Sequence, residues 1–346
     1  MKKKFLGAVA LTLAIFSFTG CGGGAIGSTY AGAFWYKESN ADLLPINEKL
    51  TYGVSVEGKD GDWGGSKYES ALTFTPDDKT SSYVTELTLS DDGKNYVYTT
   101  KLTVSGEYVS GDKKSKVEND TIETVTTFTG FNDGFTPIKS VRTVKSTAPG
   151  INGYKIEYVA TTVYEGTTAT SSIDILSDNA DAAFKKRAEN DIKVKKYNKK
   201  AYIDNDLMIL MFRNFKYDTS TSYSFRTIDV VSGELKNAAG SIRTRGEQNP
   251  KTSAQTATPT FPYTVKKCSL DGGRTFKDVS FSASEIVFQT TGEFAQTIAK
   301  VYYGNTAGNT AGDNRDCRHA PIVIMQPFAS IGILKLTLES ATFGQR

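Results

Sequence analysis

Histidine is all but missing: 346 residues contain one, His319. Any Ser-His-Asp or Cys-His machinery would have to run through it. Cys317 lies two positions earlier, so on a strand the two side chains would share a face. No further His or Cys cluster completes a metal site, and an edge-strand histidine beside a cysteine accounts for the pair. Cysteine itself is scarce, with three residues: Cys21, Cys268 and Cys317. No apolar run reaches the ~20 residues that a membrane-spanning helix needs. Neither sign of charge dominates. Lys+Arg number 41 and Asp+Glu 38, a net charge of +3. That is too mild for nucleic-acid binding, which wants a strongly basic, clustered domain. Glycine-rich phosphate loops are absent, since the N-terminal glycines precede no strand–helix unit followed by Lys-Ser/Thr. No nucleic-acid partner, metal or cofactor is expected.

The carboxylates are plentiful but scattered. Glycosidase chemistry needs two at a fixed separation inside a cleft, which sequence does not display. Asp60-Gly61-Asp62 and Asp91-Asp92-Gly93 depart from EF-hand spacing and read as turns. Ser269-Leu270-Asp271-Gly272-Gly273-Arg274-Thr275-Phe276 resembles the Asp-box turn of β-propeller hairpins; in a single copy it is read as a tight turn.

What the sequence does contain begins at its N-terminus. Lys2, Lys3 and Lys4 precede a nearly charge-free apolar run from Phe5 to Phe18. A short apolar run behind a lysine cluster is the pattern of an export signal. It closes on Phe18-Thr19-Gly20-Cys21, which resembles the lipobox of bacterial lipoproteins, with Phe18 where that motif has a smaller aliphatic residue. The resemblance implies a signal peptide over residues 1–20 and a diacylglyceryl group on Cys21 as lipid attachment. Two acyl chains suffice for stable anchoring in a bilayer. Gly22, Gly23 and Gly24 begin a flexible tether, residues 21–47. Gly22 stands where sorting signals for inner-membrane retention carry an acidic residue, so an outer membrane is implied if the host has one. In an exported chain Cys268 and Cys317 can form a disulfide, closing a loop of about 50 residues worth roughly 4 kcal/mol. Two buried thiols are the alternative.

From Leu50 the pattern has period two. Tyr52, Val54 and Val56 alternate with Gly53, Ser55 and Glu57, and Tyr68, Ser70, Leu72 and Phe74 repeat the scheme. Strands follow at 83–89, 96–104, 122–128, 138–144, 154–164 and 169–176, punctuated by glycine and acidic turns. Strands so closely spaced, with no helices between them, imply an antiparallel meander. Its dry face needs cover. A helix is predicted over 179–191, capped by Ser177 or Asp178, and then a strand within 192–203. A second helix, 206–215, capped by Asn205 or Asp206, is apolar almost all round and is the candidate plug for the concave face. Leu207, Met208, Leu210, Met211 and Phe212 are its candidate ligand-cavity lining; plain core is the bland reading. Strands resume at 223–231, 263–267, 279–281, 286–290, 297–303, 322–325 and 331–338. Polar insertions fall at 242–262 and 304–316. The expected fold is mainly β: residues 48–346 form a single domain. It is a large, strongly curved antiparallel sheet or partly open barrel with one or two short helices on its concave side. Lys185, Lys186, Arg187, Lys193, Lys195, Lys196, Lys199 and Lys200 form the densest basic stretch, read as a solvated face rather than a headgroup-binding one.

Three segments, Asp206-Leu207 through Met211-Phe212-Arg213-Asn214-Phe215, Tyr223-Ser224-Phe225 to Asp229-Val230-Val231, and Arg318-His319-Ala320-Pro321-Ile322-Val323-Ile324 with Ile331-Gly332, resemble an uncharacterised family of exported bacterial proteins, domain of unknown function 3108. The resemblance implies a curved sheet around a helix, as in periplasmic lipoprotein carriers, and hence a hydrophobic-ligand cavity. The leading expectation is a non-catalytic envelope lipoprotein that binds or handles an apolar or amphiphilic ligand. The alternatives are a structural or surface-interaction lipoprotein without an interior site, and an envelope hydrolase using carboxylates.

Overall fold

The computed structural model describes residues 47–57, 73–130, 135–146, 156–195, 202–213, 222–228, 235–243, 261–269, 275–290, 297–304, 320–328 and 332–344. The leader, Cys21 and most of the tether, Cys317, His319 and most of both polar insertions lie outside these residues.

Alternation makes the strands. In β7 (Ile156–Glu165), Ile156, Tyr158, Ala160, Thr162 and Tyr164 are buried and the residues between them are not. The same rhythm runs through β1 (Glu48–Glu57), β3 (Ser82–Leu89), β6 (Pro137–Ser146) and β8 (Thr168–Ile175). With β4 (Asn95–Ser110), β5 (Lys113–Thr129) and β9 (Ile192–Lys195) they form an antiparallel meander, β3 to β9 in chain order. β2 (Thr73–Pro76) lies against the far end of β4.

The second half adds β10 (Tyr202–Asp204), β11 (Ser222–Ile228), β12 (Leu235–Arg243), β13 (Phe261–Ser269), β14 (Thr275–Thr290), β15 (Thr297–Gly304), β16 (Pro321–Phe328) and β17 (Gly332–Thr342). Following backbone pairs gives the order β10-β11-β12-β14-β15-β16-β17. β13 lies between the first half of β14 and the end of β17.

β1 joins the halves. Its Glu48–Gly53 pairs with β3 and its Lys49–Glu57 with β17, so both edges of the first described strand are occupied. The Tyr52 hydroxyl donates to the Pro321 carbonyl, 2.7 Å away. The result is one mainly β body, a large curved sheet that does not close, because no backbone pairing joins β9 to β10 or β11 among the described residues. Curvature nevertheless brings these ends together. Val194 of β9 and Ile228 of β11 share a small apolar cluster with Tyr164 and Ala169.

Two helices accompany the sheet. α1 (Ala182–Ala188) is shorter than predicted and is capped by Asp181, whose Oδ1 accepts from the Phe184 amide at 2.7 Å, in place of Ser177 or Asp178. Its Phe184 ring lies 4.8 Å from that of Tyr158, covering one end of the concave face. α2 (Met208–Phe212) follows a 3-10 turn over Asn205–Leu207. It starts later and ends earlier than predicted, and neither Asn205 nor Asp206 caps it.

Other departures from expectation have local causes. β4 and β5 run past Val104 and start before Ile122, turning at Gly111, whose φ is 58°. The Lys/Glu/Ser-rich sequence there hides the pattern, although Tyr108 and Val117 still point inward. β12 was not expected, because Asn237, Ala238, Ala239 and Gly240 have low strand propensity; pairing on both edges with β11 and β14 makes the strand. The segment 192–203 gives two strands, not one, and β10 runs parallel to β11, as β13 does to β17.

Gly106 sits at a register shift where β2 meets β4. A Cβ there would lie 2.3 Å from the Thr75 carbonyl oxygen and 2.8 Å from the Phe74 ring. Gly106→Ala is therefore expected to lose about 1–3 kcal/mol through forced backbone displacement. Urea denaturation, followed by tyrosine fluorescence, checks this; an unchanged midpoint would contradict the close approach.

Candidate functional site

The concave face of β3 to β8 is not uniformly apolar. Register aligns Tyr83, Leu102, Ile122, Val144, Tyr158 and Ile175 in one cross-strand row, which is conventional core. The two adjacent rows are polar in their centres: Thr85, Thr100, Thr124 and Arg142, then Tyr98, Thr126, Ser140, Thr162 and Ser171. All nine are buried. Buried hydroxyls cost free energy unless bonded. Here Thr126 and Ser140 share a 2.9 Å bond across β5 and β6, and Thr162 and Ser171 one of 2.6 Å across β7 and β8. Their small side chains let another segment approach the sheet closely.

That segment is β10 with the start of the plug. Asp204 and Asp206 are buried against the polar rows. The Asp204 carboxyl accepts from the Tyr164 hydroxyl, from Ser140 Oγ at 3.5 Å and from the Asp206 amide at 2.9 Å. It is thus Asp204 that caps the turn leading into α2. The Asp206 carboxylate takes the guanidinium of Arg142. At the other end of the helix, Arg213 makes a bidentate ion pair with Glu48 of β1, at 2.6 and 2.9 Å. Between these anchors, the Tyr303 hydroxyl donates to the Ile209 carbonyl at 2.7 Å, and the Phe212 ring meets Phe288 edge-on at 4.7 Å.

Burial and charge set the protonation states. Burial, and then the neighbouring Asp206 carboxylate, push Asp204 up to about 7; the Tyr164 hydrogen bond and Arg142 oppose this. Burial works against the charge of Arg213, but Glu48 more than offsets it, and the guanidinium is held above its ordinary value. Tyr52, Tyr83 and Tyr98 are raised chiefly by burial and stay neutral.

Leu207, Met208, Leu210, Met211 and Phe212, with Ile209 between them, lie inside the concave face and are each at most 5% exposed. Asp206, expected as a cap, is instead an ion-pair partner. Cys268 is buried on β13, whereas Cys317 and Cys21 lie outside the described residues. Asp91-Asp92-Gly93 is a turn: Asp92 Oδ1 accepts from Ser90 Oγ at 2.6 Å and from the Lys94 amide at 3.1 Å. In the basic stretch, Lys185, Lys186, Lys193 and Lys195 are exposed. Sequence reasoning missed Glu48, Ser140, Arg142, Tyr164, Asp204 and Arg213. A faint signal was present: Ser140 and Arg142 occupy inward positions of an alternating strand, where polar residues break the pattern.

No family model matches this chain, and no curated protein matches it. Among solved structures it is similar to a beta-barrel-like protein of domain of unknown function DUF1849 from Brucella abortus, 7% identical, with 86% of this chain and 98% of that chain covered and a TM-score of 0.45. Aeromonas veronii immune modulator A covers the same shares at 11% identity, with a TM-score of 0.11. Likeness at these levels leaves function to the residues themselves.

Arg213→Ala strands the Glu48 carboxylate in the interior, and is expected to cost about 3–5 kcal/mol. Replacing both partners, Glu48→Gln with Arg213→Met, should cost much less. Exposed pairs such as Lys101 with Glu123 should each be worth under ~1 kcal/mol. Chemical denaturation of the single and paired variants measures all three.

Proposed function

We propose that this chain is a non-catalytic envelope lipoprotein, tethered to a bilayer through a lipid on Cys21, whose β body acts as a structural or surface-interaction module. The observation that carries the second part is the state of the plug. Six consecutive side chains, Leu207 to Phe212, have almost no accessible surface, and both ends of the segment are fixed by buried ion pairs. A cavity wide enough for an acyl chain would leave accessible area on its lining. The chain's own helix holds the place that a ligand would take.

The absence of catalysis rests on the carboxylates. Among the described residues Asp204 and Asp206 converge, but Asp206 is matched by Arg142, Asp204 is bonded by Tyr164, and both are buried. Substrate has no approach to them while the plug is seated. The signal pattern over residues 1–20 supports export, and the Gly22–Gly24 tether supports a body held off the membrane surface.

One observation favours the second reading, binding of an amphiphile. Among the described residues, the contact between β9 and β11 is made by side chains and no backbone ladder joins them, so the body has a place where it can part. In that reading the plug yields to the ligand, and Leu207, Met208, Leu210, Met211 and Phe212 come to line its site.

Two measurements separate these readings. Expressed with its leader, the protein should fractionate with membranes and give an N-terminal peptide carrying a diacylglyceryl mass; Cys21→Ser should release it. Lipid extraction of the purified Cys21→Ser protein, followed by mass spectrometry, should find no stoichiometric lipid. Lipid at one or more equivalents would replace the structural reading with the amphiphile-binding one.

A further inference from the structure

The two ends of the sheet meet at a seam closed by Tyr164, Ala169, Val194 and Ile228. Asp204 is tied to both sides of it. Its backbone is in register with Ile228 on β11, and its carboxyl accepts from Tyr164 on β7. It is also the residue that caps the turn into the plug. We propose that Asp204 is a proton-binding site whose carboxyl, with Tyr164, latches this seam and the plug behind it.

The charges around Asp204 explain why a proton is needed. From β6 it faces Arg142, already matched to Asp206, and the neutral Ser140. From β7 it faces the Tyr164 phenol, and on its own segment the Asp206 carboxylate. Tyr83 of β3 and Tyr98 of β4 lie within electrostatic reach of Asp206 and are neutral. On β11, Arg226 stands two residues before Ile228 and is half-buried. On β9, Lys193 and Lys195 flank Val194 and are exposed, pointing away from the seam. Among the described residues, the fully buried groups closest to Asp204, counting Asp204 itself, are two carboxylates and one guanidinium. With Asp204 protonated the set is neutral; with Asp204 ionised it carries an unmatched buried charge, which low-dielectric surroundings penalise.

The direction of the effect follows. The carboxyl ionises near 3.8 in the unfolded chain and at about 7 in the folded one. The folded state holds the extra proton across that window, so this group's stabilisation is full below the window and falls as pH rises through it. Above it, opening the seam lets the carboxylate reach water. The weakest point is β9, a four-residue strand that among the described residues pairs with β8 alone.

Hydrogen exchange of the mature protein, read by mass spectrometry at roughly pH 5 and roughly pH 8 and corrected for intrinsic rates, tests the latch. Peptides from β9, β10 and α2 should exchange faster at the higher pH than at the lower, rising about tenfold for each pH unit up to the folded value and levelling off above it, because only between the unfolded and folded values does opening release a proton. The β4–β5 hairpin serves as the internal control and should not respond. Asp204→Asn, neutral throughout, should abolish the difference, and Tyr164→Phe should raise exchange at both pH values. Equal protection of β9 and β10 at the two pH values in the unmodified protein, or a pH response shared by the hairpin, overturns the proposal. So does an unchanged response in Asp204→Asn. The unmodified protein decides the matter even if a variant fails to fold.

Discussion

A charge placed inside a β body has to be answered by another charge on a neighbouring element, and in this molecule those answers fix where the plug lies. Arg142 faces inward from the middle of β6, and Glu48 from the start of β1. Neither could stay there alone, since an isolated buried ion costs several kcal/mol. The short stretch Asp204 to Arg213 supplies a carboxylate for one and a guanidinium for the other. Its apolar centre, Leu207 to Phe212, then fills the space between them. Hydrophobic burial alone would let a helix slide along the curved face; two ion pairs at opposite ends allow one position.

The Ser and Thr rows belong to the same arrangement. Small hydroxylic side chains at Thr126, Ser140, Thr162 and Ser171 leave room for the backbone of β10 and bond to one another in pairs, with Ser140 also reaching Asp204. A row of valines would have made a drier core, but would have left the Asp204 carboxyl with no partner from β6. The polar seat and the charged segment therefore depend on each other.

The period-two pattern was sufficient to read β1, β3, β7 and β8, because each has one wet face and one dry face. It also placed an apolar helix on the concave side. The ends of that helix were misjudged: Asp206 looks like a cap in sequence, yet its carboxylate is drawn to Arg142, 64 residues earlier. Long-range partners of this kind leave no local trace. β12 escaped because its small residues are made into a strand by neighbours on both edges. β10 was merged with β9 into one expected strand, because three residues running parallel to β11 carry too little alternation to stand apart. The charged seat could not be read without the cross-strand register, which aligns Thr124 with Arg142 and Ser140 with Thr162.

The position of β1 bears on how the molecule can be made. The first described strand pairs with the last, and Tyr52 bonds to a carbonyl 269 residues later. Such distant contacts are slow to form, because the loop-closure entropy comes before the reward. During synthesis, β3 to β8 can pair as they emerge, but the edge of β1 that belongs to β17 stays vacant until β17 arrives. The two halves can join only after β17 is delivered, so a chain stalled or clipped before β17 would carry an open strand edge on β1.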